Sequence, residues 1–445
     1  MGSKELLIEN HNLLRDYQKK GVDFFVNNNS CLMADEMGLG KTVQTAVALD
    51  VMLHDNNIEK VLIICPAALV FNWYKELDKW CPSVSKVLIN GSQKTRESLY
   101  HLPYNIWISS YEQIRIDMEM FISNDLEFDV VILDEAQRIK NKDSKTSLAC
   151  KLVNRDKSWA LTGTPIENNI TDIISIYSFV NEGVINEFHS NNEIKSLIED
   201  SFLRRTKKEV LKDLPPILYN DLYLKMNGDQ LDCYQDVLNE YISSNANMTS
   251  IFARISKLKS ICNFSPTSNT SIKYEALLNI LENSRNENQK VLIFSQYVGS
   301  LKRIKDLLAI DLNQKYNIFH GGVNKEERDE MIDNFENNSE FDILLISLKA
   351  GGVGLNLNSA TNVVLFDRWW NPALENQAIQ RAHRFGKKVP LNVYRFIISD
   401  TIEEKIENIL KKKELLFDEM INDSTITEHN NLFTKEDLLL ILQHE

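Results

Sequence analysis

Between an apolar run and a stretch of helical spacing lies Ala34-Asp35-Glu36-Met37-Gly38-Leu39-Gly40-Lys41-Thr42. A glycine-rich loop in that setting commits the chain to a strand, a tight turn and a helix. Backbone N–H groups freed by the turn and by the first helical turn point outward, and the helix dipole favours an anion there. In this pattern Gly38 and Gly40 shape a phosphate cradle, Lys41 meets the β/γ-phosphates and Thr42 holds Mg²⁺. The common spelling has glycine five residues before Gly40, where this chain carries Asp35. The bland alternative is a chance Gly-x-Gly-Lys-Thr turn, so the loop must be weighed with the rest of the chain.

Downstream of the loop the residue pattern supports an α/β fold. Val43, Val47, Ala48 and Val51 keep helical spacing. Short apolar runs then alternate with helical stretches: Val61 to Cys65, Ile106 to Ile108, Val130 to Leu133 and Trp159 to Leu161. Such alternation predicts a parallel sheet covered by helices on both faces, with ligands outside the carboxyl ends of the strands. From Ile170 to Ser271 the alternation lapses into helical segments broken at Pro215-Pro216, read as insertions and a connection. A second α/β series runs through Val291 to Gln296, Ile318 to Gly322, Ile343 to Ser347, Val363 to Phe366 and Val393 to Ile397, with Asn324 as the N-cap of a helix reaching Phe335.

Size and composition narrow the class. At 445 residues the chain exceeds what one core usually supports, so two or three domains are expected. No apolar stretch approaches the length of a membrane span, and no secretion signal opens the chain. Cys31, Cys65, Cys81, Cys150, Cys233 and Cys262 lack any C-x-x-C pairing, which reads as buried thiols; no structural metal is expected. A net charge of −13 argues mildly against nucleic acid, although an acidic chain can still present a basic cleft.

Several polar groups sit where chemistry would need them. Val130 to Leu133 ends in Asp134-Glu135-Ala136-Gln137. Of two carboxylates closing a buried strand, Asp134 suits a Mg²⁺ ligand and Glu135 a base that orients and deprotonates water. Leu161-Thr162-Gly163-Thr164-Pro165 ends the next run as a hydroxyl-lined hinge. Gln18 can pair with an adenine edge, or simply face solvent. The second half carries Lys349 to Asn356 and Gln377-x-x-Gln380-Arg381-Ala382-His383-Arg384-Phe385-Gly386. Arg381 and Arg384, three apart, share a helix face and suit arginine fingers for a γ-phosphate; a salt-bridged surface helix is the alternative.

Taken in order, Tyr17-Gln18, DEMGLGKT, DEAQ, LTGTP, SLKAGGVGLNL, Asp367-Arg368-Trp369-Trp370-Asn371-Pro372-Ala373 and QAIQRAHRFGK resemble the Swi/Snf-type ATPases of helicase superfamily two. The resemblance covers residues 13 to 420. It implies two RecA-like lobes, each a parallel sheet covered by helices, with helical insertions between them. It implies ATP and Mg²⁺ as cofactors, and a motor, itself monomeric, that tracks along double-stranded DNA. In that frame Asp35, Gly354 and Gln377 join Gln18 and the loop in binding nucleotide, while Gln137, Thr162 and Trp370 couple the cycle. Ser110, Thr164, Ser295 and Gly352 become contacts to the DNA backbone. Thr401 to Lys413 matches a brace helix, with Ile402, Ile406, Ile409 and Leu410 as its apolar stripe. Gln137 stands where histidine is usual, Lys387 where glutamine is typical, and His320-Gly321-Gly322 replaces a more usual Asp-Gly-Ser.

The expected organisation is an ATP-binding lobe at residues 1–215, a helical insertion and connection at 216–272, a helicase lobe at 273–400 and a helical extension at 401–445. The expected activity is DNA-stimulated ATP hydrolysis that drives translocation on duplex DNA and remodels or displaces bound protein, with no membrane partner. The rivals are an RNA- or DNA-unwinding helicase of the same superfamily and a nucleotide-gated clamp without turnover. The setting would be nucleoid-associated cytoplasm in a prokaryote, or the nucleus in a eukaryote.

Overall fold

The computed structural model describes residues 12–55, 57–123, 126–163, 170–239, 248–268, 270–314, 316–338, 341–351, 357–369, 372–411 and 441–442. The chain divides into two compact units, the first running to Lys212 and the second beginning at Asp213. Among the described residues no helix is long and apolar enough to cross a membrane.

The first unit contains β1 (Ser30–Met33), β2 (Val61–Cys65), β3 (Lys86–Leu88), β4 (Ile106–Ser110), β5 (Glu127–Asp134), β6 (Asn154–Leu161) and β7 (Phe202–Leu203). They form one sheet in the order β3-β4-β2-β5-β6-β1-β7, with every pairing parallel. Strands in such a sheet are buried on both faces, which explains their nearly unbroken apolar runs. Alternate residues serve opposite faces. Leu32, Leu62, Ile64, Val131, Leu133 and Ala160 enter one core, while Met33, Val61, Ile63, Val130, Ile132 and Trp159 enter the other.

The second unit repeats the plan with β8 (Ile217–Leu224), β9 (Val291–Ser295), β10 (Asn317–Phe319), β11 (Ile343–Ser347), β12 (Asn362–Leu365) and β13 (Leu391–Ile398). Their order is β10-β11-β9-β12-β13-β8, again parallel throughout. The sheet is sandwiched between one core around Phe294, Ile346 and Leu365 and another around Ile293, Leu345 and Val364. The two-lobe α/β class expected from the sequence is therefore the one observed, two parallel sheets covered by helices. Asn324 caps the helix Lys325–Asn337 as expected, accepting the Glu327 N–H at 2.8 Å.

One part of the sequence reading is corrected. The segment expected to be a helical connection, 216–272, begins with a strand: β8 runs the full length of β13 in register from Ile217–Leu391 to Leu224–Ile398. The pattern concealed it because β8 lies at the sheet edge and most of its side chains are only partly buried or exposed. The helices Gly228–Asn239 and Met248–Asn263 come next, and their apolar faces pack with Ile402, Ile406 and Leu410 of the helix at 402–411.

Beneath that packing lies a charged network with almost no exposure. Lys273 Nζ donates to Glu403 Oε1 at 2.6 Å and to Asn263 Oδ1 at 3.0 Å, with both ionised side chains wholly buried. Asn263 also reaches Asp367, whose carboxylate accepts from the Gln296 N–H and the Ser295 hydroxyl. Arg368 lies between Glu375 and Glu407; its Nη1 is 2.5 Å from Glu407 Oε2, an ion pair whose angles fall short of a hydrogen bond. Lys259 Nζ donates to the Arg368 carbonyl at 2.5 Å. Buried ions persist only when partnered in this way.

Candidate functional site

The carboxyl ends of β1, β5 and β6 bring the first unit's polar motifs together. Met33 pairs with Leu161, and Leu161 with Asp134, so the loop after β1, Thr162 and Glu135 emerge at one level. The Thr162 N–H donates to the Met33 carbonyl at 3.1 Å, fixing the hinge against the loop.

Within the loop, Gly38 and Gly40 have φ of 88° and 80°, the left-handed region that glycine enters without strain. A Cβ at Gly40 would also stand 2.7 Å from Gln18 Nε2. The helix Lys41–His54 starts immediately after, so its first-turn N–H groups face the loop. Lys41 Nζ donates to the Asp35 carbonyl at 2.7 Å, and Gly163 approaches closely enough that a Cβ there would lie 3.5 Å from Nζ. Thr42 stands half-buried in the first helical turn.

Asp35 requires a correction. It was expected to bind nucleotide, but its side chain is fully buried in an ion pair with Arg205: Nε to Oδ1 at 2.9 Å and Nη2 to Oδ2 at 2.5 Å. Arg205 also donates to Gln44 Oε1 and to the Tyr17 carbonyl, with its guanidinium 5.4 Å from the Tyr17 ring centroid. A carboxylate aimed at phosphates would repel them; this one instead anchors the loop to the helix Asp16–Asn27 and to the chain after β7. Gln18, on that helix, accepts the Arg15 N–H at 3.1 Å, and its Nε2 lies 3.4 Å from the Leu39 carbonyl. It borders the loop.

The acidic pair is held firmly. Asp134 is 7% exposed; its Oδ2 accepts the Trp73 indole N–H at 2.8 Å and its Oδ1 the Glu135 N–H at 3.0 Å, while its carbonyl accepts the Tyr111 hydroxyl at 2.8 Å. Burial raises its pKa, the Glu135 charge adds to that, and the indole and Lys41 oppose it. Glu135 adopts φ 54°, ψ 52°, a left-handed conformation that costs a non-glycine residue free energy and concentrates at functional sites. Its carboxylate accepts from Gln137 Nε2 at 2.8 Å, and the Thr162 hydroxyl donates to Gln137 Oε1 at 2.7 Å. Gln137 therefore ties Glu135 to Thr162 at the end of β6.

These groups fit a magnesium ion. Among the described residues no cluster of three or more His, Cys, Asp or Glu could hold a metal by itself. Mg²⁺ in nucleotide sites takes one or two protein oxygens and completes its octahedron with phosphates and water, so Thr42 and Asp134 suffice.

Two expected DNA contacts are corrected. The Ser110 hydroxyl caps the helix Tyr111–Ile116, accepting the Gln113 N–H at 3.2 Å, and the residue is 4% exposed. Ser295 is fully buried, its hydroxyl given to Asp367. Neither hydroxyl is on the surface, because each closes a strand end from within. Thr164, Gly352, Gly354 and Trp370 lie outside the described residues. In the second unit Gln377 and Arg381 ride the helix Pro372–Ala382 and are 7% exposed, while Arg384 comes just after it, half-buried, with Nε 3.3 Å from the Gln380 carbonyl. Lys387 is buried and donates to the carbonyls of Asn358, at 3.1 Å, and Ala360; desolvation lowers its pKa to about 8. The residues missed by sequence reasoning, Trp73 and Tyr111, leave no local signal, since their partners lie in distant segments; Arg205 stands in a basic run, Arg204-Arg205-Thr206-Lys207-Lys208, that reads equally as a solvated helix face.

A family described as the SNF2-related domain matches residues 17–267, and the helicase conserved C-terminal domain matches residues 272–386. A Mycoplasma pneumoniae protein named an uncharacterized ATP-dependent helicase is 35% identical, over 97% of this chain and 44% of its own length. The ISWI chromatin-remodeling complex ATPase ISW2 of Saccharomyces cerevisiae is 30% identical, over 97% of this chain and 43% of its own. The chain thus spans less than half the length of these relatives. A Sulfolobus solfataricus SWI2/SNF2 ATPase core, solved in complex with dsDNA, is 32% identical over 96% of each chain, with a TM-score of 0.45. With more than half of its residues matched by the SNF2-related domain and a helicase C-terminal domain after it, this chain belongs to the SNF2 family.

Proposed function

We propose that this chain is a DNA-stimulated ATPase that moves along duplex DNA and remodels or displaces protein bound there. The observation that carries the reading is Glu135, held in a left-handed conformation and tied through Gln137 to Thr162, beside the glycine loop that presents Lys41. Strain of that kind persists where the surroundings enforce it, and here the Gln137 bond holds the carboxylate. A membership shared with a chromatin-remodeling complex ATPase supports the choice of DNA-bound protein as target.

In this reading the loop N–H groups and Lys41 bind the nucleotide phosphates, and Gln18 contacts the adenine edge. Thr42 and Asp134 hold Mg²⁺, which neutralises phosphate charge when bound. Glu135 orients the attacking water and takes its proton, while Gln137 keeps that carboxylate in place. Arg381 and Arg384 stabilise charge on the transferring phosphoryl group. Gln137 does not titrate near neutral pH as histidine would, so coupling through Thr162 is insensitive to proton concentration there.

The test is ATP hydrolysis by the purified chain with Mg²⁺, with and without duplex DNA. The expected result is turnover that rises on adding DNA. Turnover indifferent to DNA, or none, refutes the proposal; stimulation by duplex RNA alone would move the chain to an RNA-directed helicase.

A further inference from the structure

Trp73 lies on the helix Val70–Trp80, with its side chain wholly buried. A buried tryptophan is ordinarily a packing residue, and this one does belong to the core with Val61, Ile63 and Ile132. Its polar edge, however, ends on one specific atom: Nε1 meets Asp134 Oδ2 at 2.8 Å. We propose that Trp73 is a positioning residue for the magnesium-binding carboxylate, setting the orientation in which Asp134 receives the ion. The inference rests on the ATPase reading above.

Each Asp134 oxygen accepts one hydrogen bond, Oδ2 from the indole and Oδ1 from the Glu135 N–H. A carboxylate oxygen has two lone pairs, so both bonds can stand while one oxygen also faces a cation. The indole N–H is a donor with no acceptor capacity, so Oδ2 can meet it only as an acceptor. Together with the Glu135 N–H on Oδ1, it fixes the plane of the group. The Tyr111 hydroxyl, bonded to the Asp134 carbonyl, holds the backbone from the other side. Outer partners that orient a ligating group typically change metal affinity by about 10- to 100-fold when removed.

The experiment measures ion binding rather than turnover. Binding of a fluorescent ATP analogue to the full chain is monitored at graded Mg²⁺, with Mn²⁺ binding read in parallel by electron paramagnetic resonance. For Trp73→Phe we expect the Mg²⁺ requirement to rise about 10- to 100-fold, while nucleotide binding in EDTA is unchanged. If Trp73→Phe fails to fold, β-(3-benzothienyl)alanine in place of Trp73 keeps the bicyclic shape, replaces N–H by sulfur and should give the same rise. A Mg²⁺ requirement within about twofold of wild type, in a folded variant lacking the N–H, overturns the inference and leaves Trp73 a packing residue. Wild type that binds nucleotide with no dependence on Mg²⁺ would instead refute the ATPase reading beneath it.

Discussion

Removing one charge from the Lys273–Glu403 pair should unfold the second unit at far milder conditions than wild type. Both side chains have no exposure, their N–O separation is 2.6 Å, and Glu403 Oε2 also accepts the Ile398 N–H at 3.1 Å. Glu403→Leu leaves an ammonium in the interior with Asn263 as its remaining oxygen partner. Breaking a buried pair by deleting one member costs about 3–5 kcal/mol, because the survivor has lost both water and partner. For a unit of this size that corresponds to a fall in melting temperature of roughly 6–20 °C. The pair's own contribution is smaller: replacing both members, as Lys273→Met with Glu403→Leu, should recover most of the loss. Urea unfolding monitored by circular dichroism measures all four corners of the cycle. A single variant losing less than about 1 kcal/mol, or a double variant no better than the single, would refute the claim that uncompensated charge is the cause.

Other perturbations probe different atoms. Glu135→Gln should keep ATP binding while lowering turnover by about 10²- to 10⁴-fold, checked by single-turnover hydrolysis beside equilibrium nucleotide binding. Arg205→Met strips the partner from Asp35, whose side chain has no exposure, and should destabilise the first unit by about 3–5 kcal/mol in thermal unfolding. Lys387 titrates lower in the folded chain, near 8, than in the unfolded chain, so the unfolded state binds more protons between that value and the ordinary lysine range. Wild type should accordingly gain stability relative to Lys387→Gln as pH rises from 8 toward 10, read from urea midpoints of the two proteins.

The strands and the phosphate loop are legible because their information is local. Val61 to Cys65 is apolar throughout because helices cover both faces, and Gly38 and Gly40 announce a positive φ that few other residues tolerate. The acidic pair is legible as a strand end, but the strained backbone of Glu135 is not, since glutamate carries no mark of it. Asp35 misleads because sequence order places it beside the phosphate loop, whereas its partner Arg205 is brought there only by β7 pairing with β1. Ser110 and Ser295 fail as DNA contacts for a related reason. A serine closing a strand can cap a helix or satisfy a carboxylate, and only the fold decides which.

The pairing of β8 with β13 carries a consequence for synthesis on the ribosome. The first unit has all its strands by Leu203, so its sheet can close while the remainder is still being translated. The second unit opens with β8, which must wait for β13, and then for Glu403 and Glu407 to neutralise Lys273 and Arg368. Until residue 407 has cleared the exit tunnel, an edge strand is exposed, joined by Lys273 and then by Arg368 as each emerges. Holding chaperones should therefore engage nascent chains stalled after β8 has emerged and before residue 407 has, and release them once it clears the tunnel.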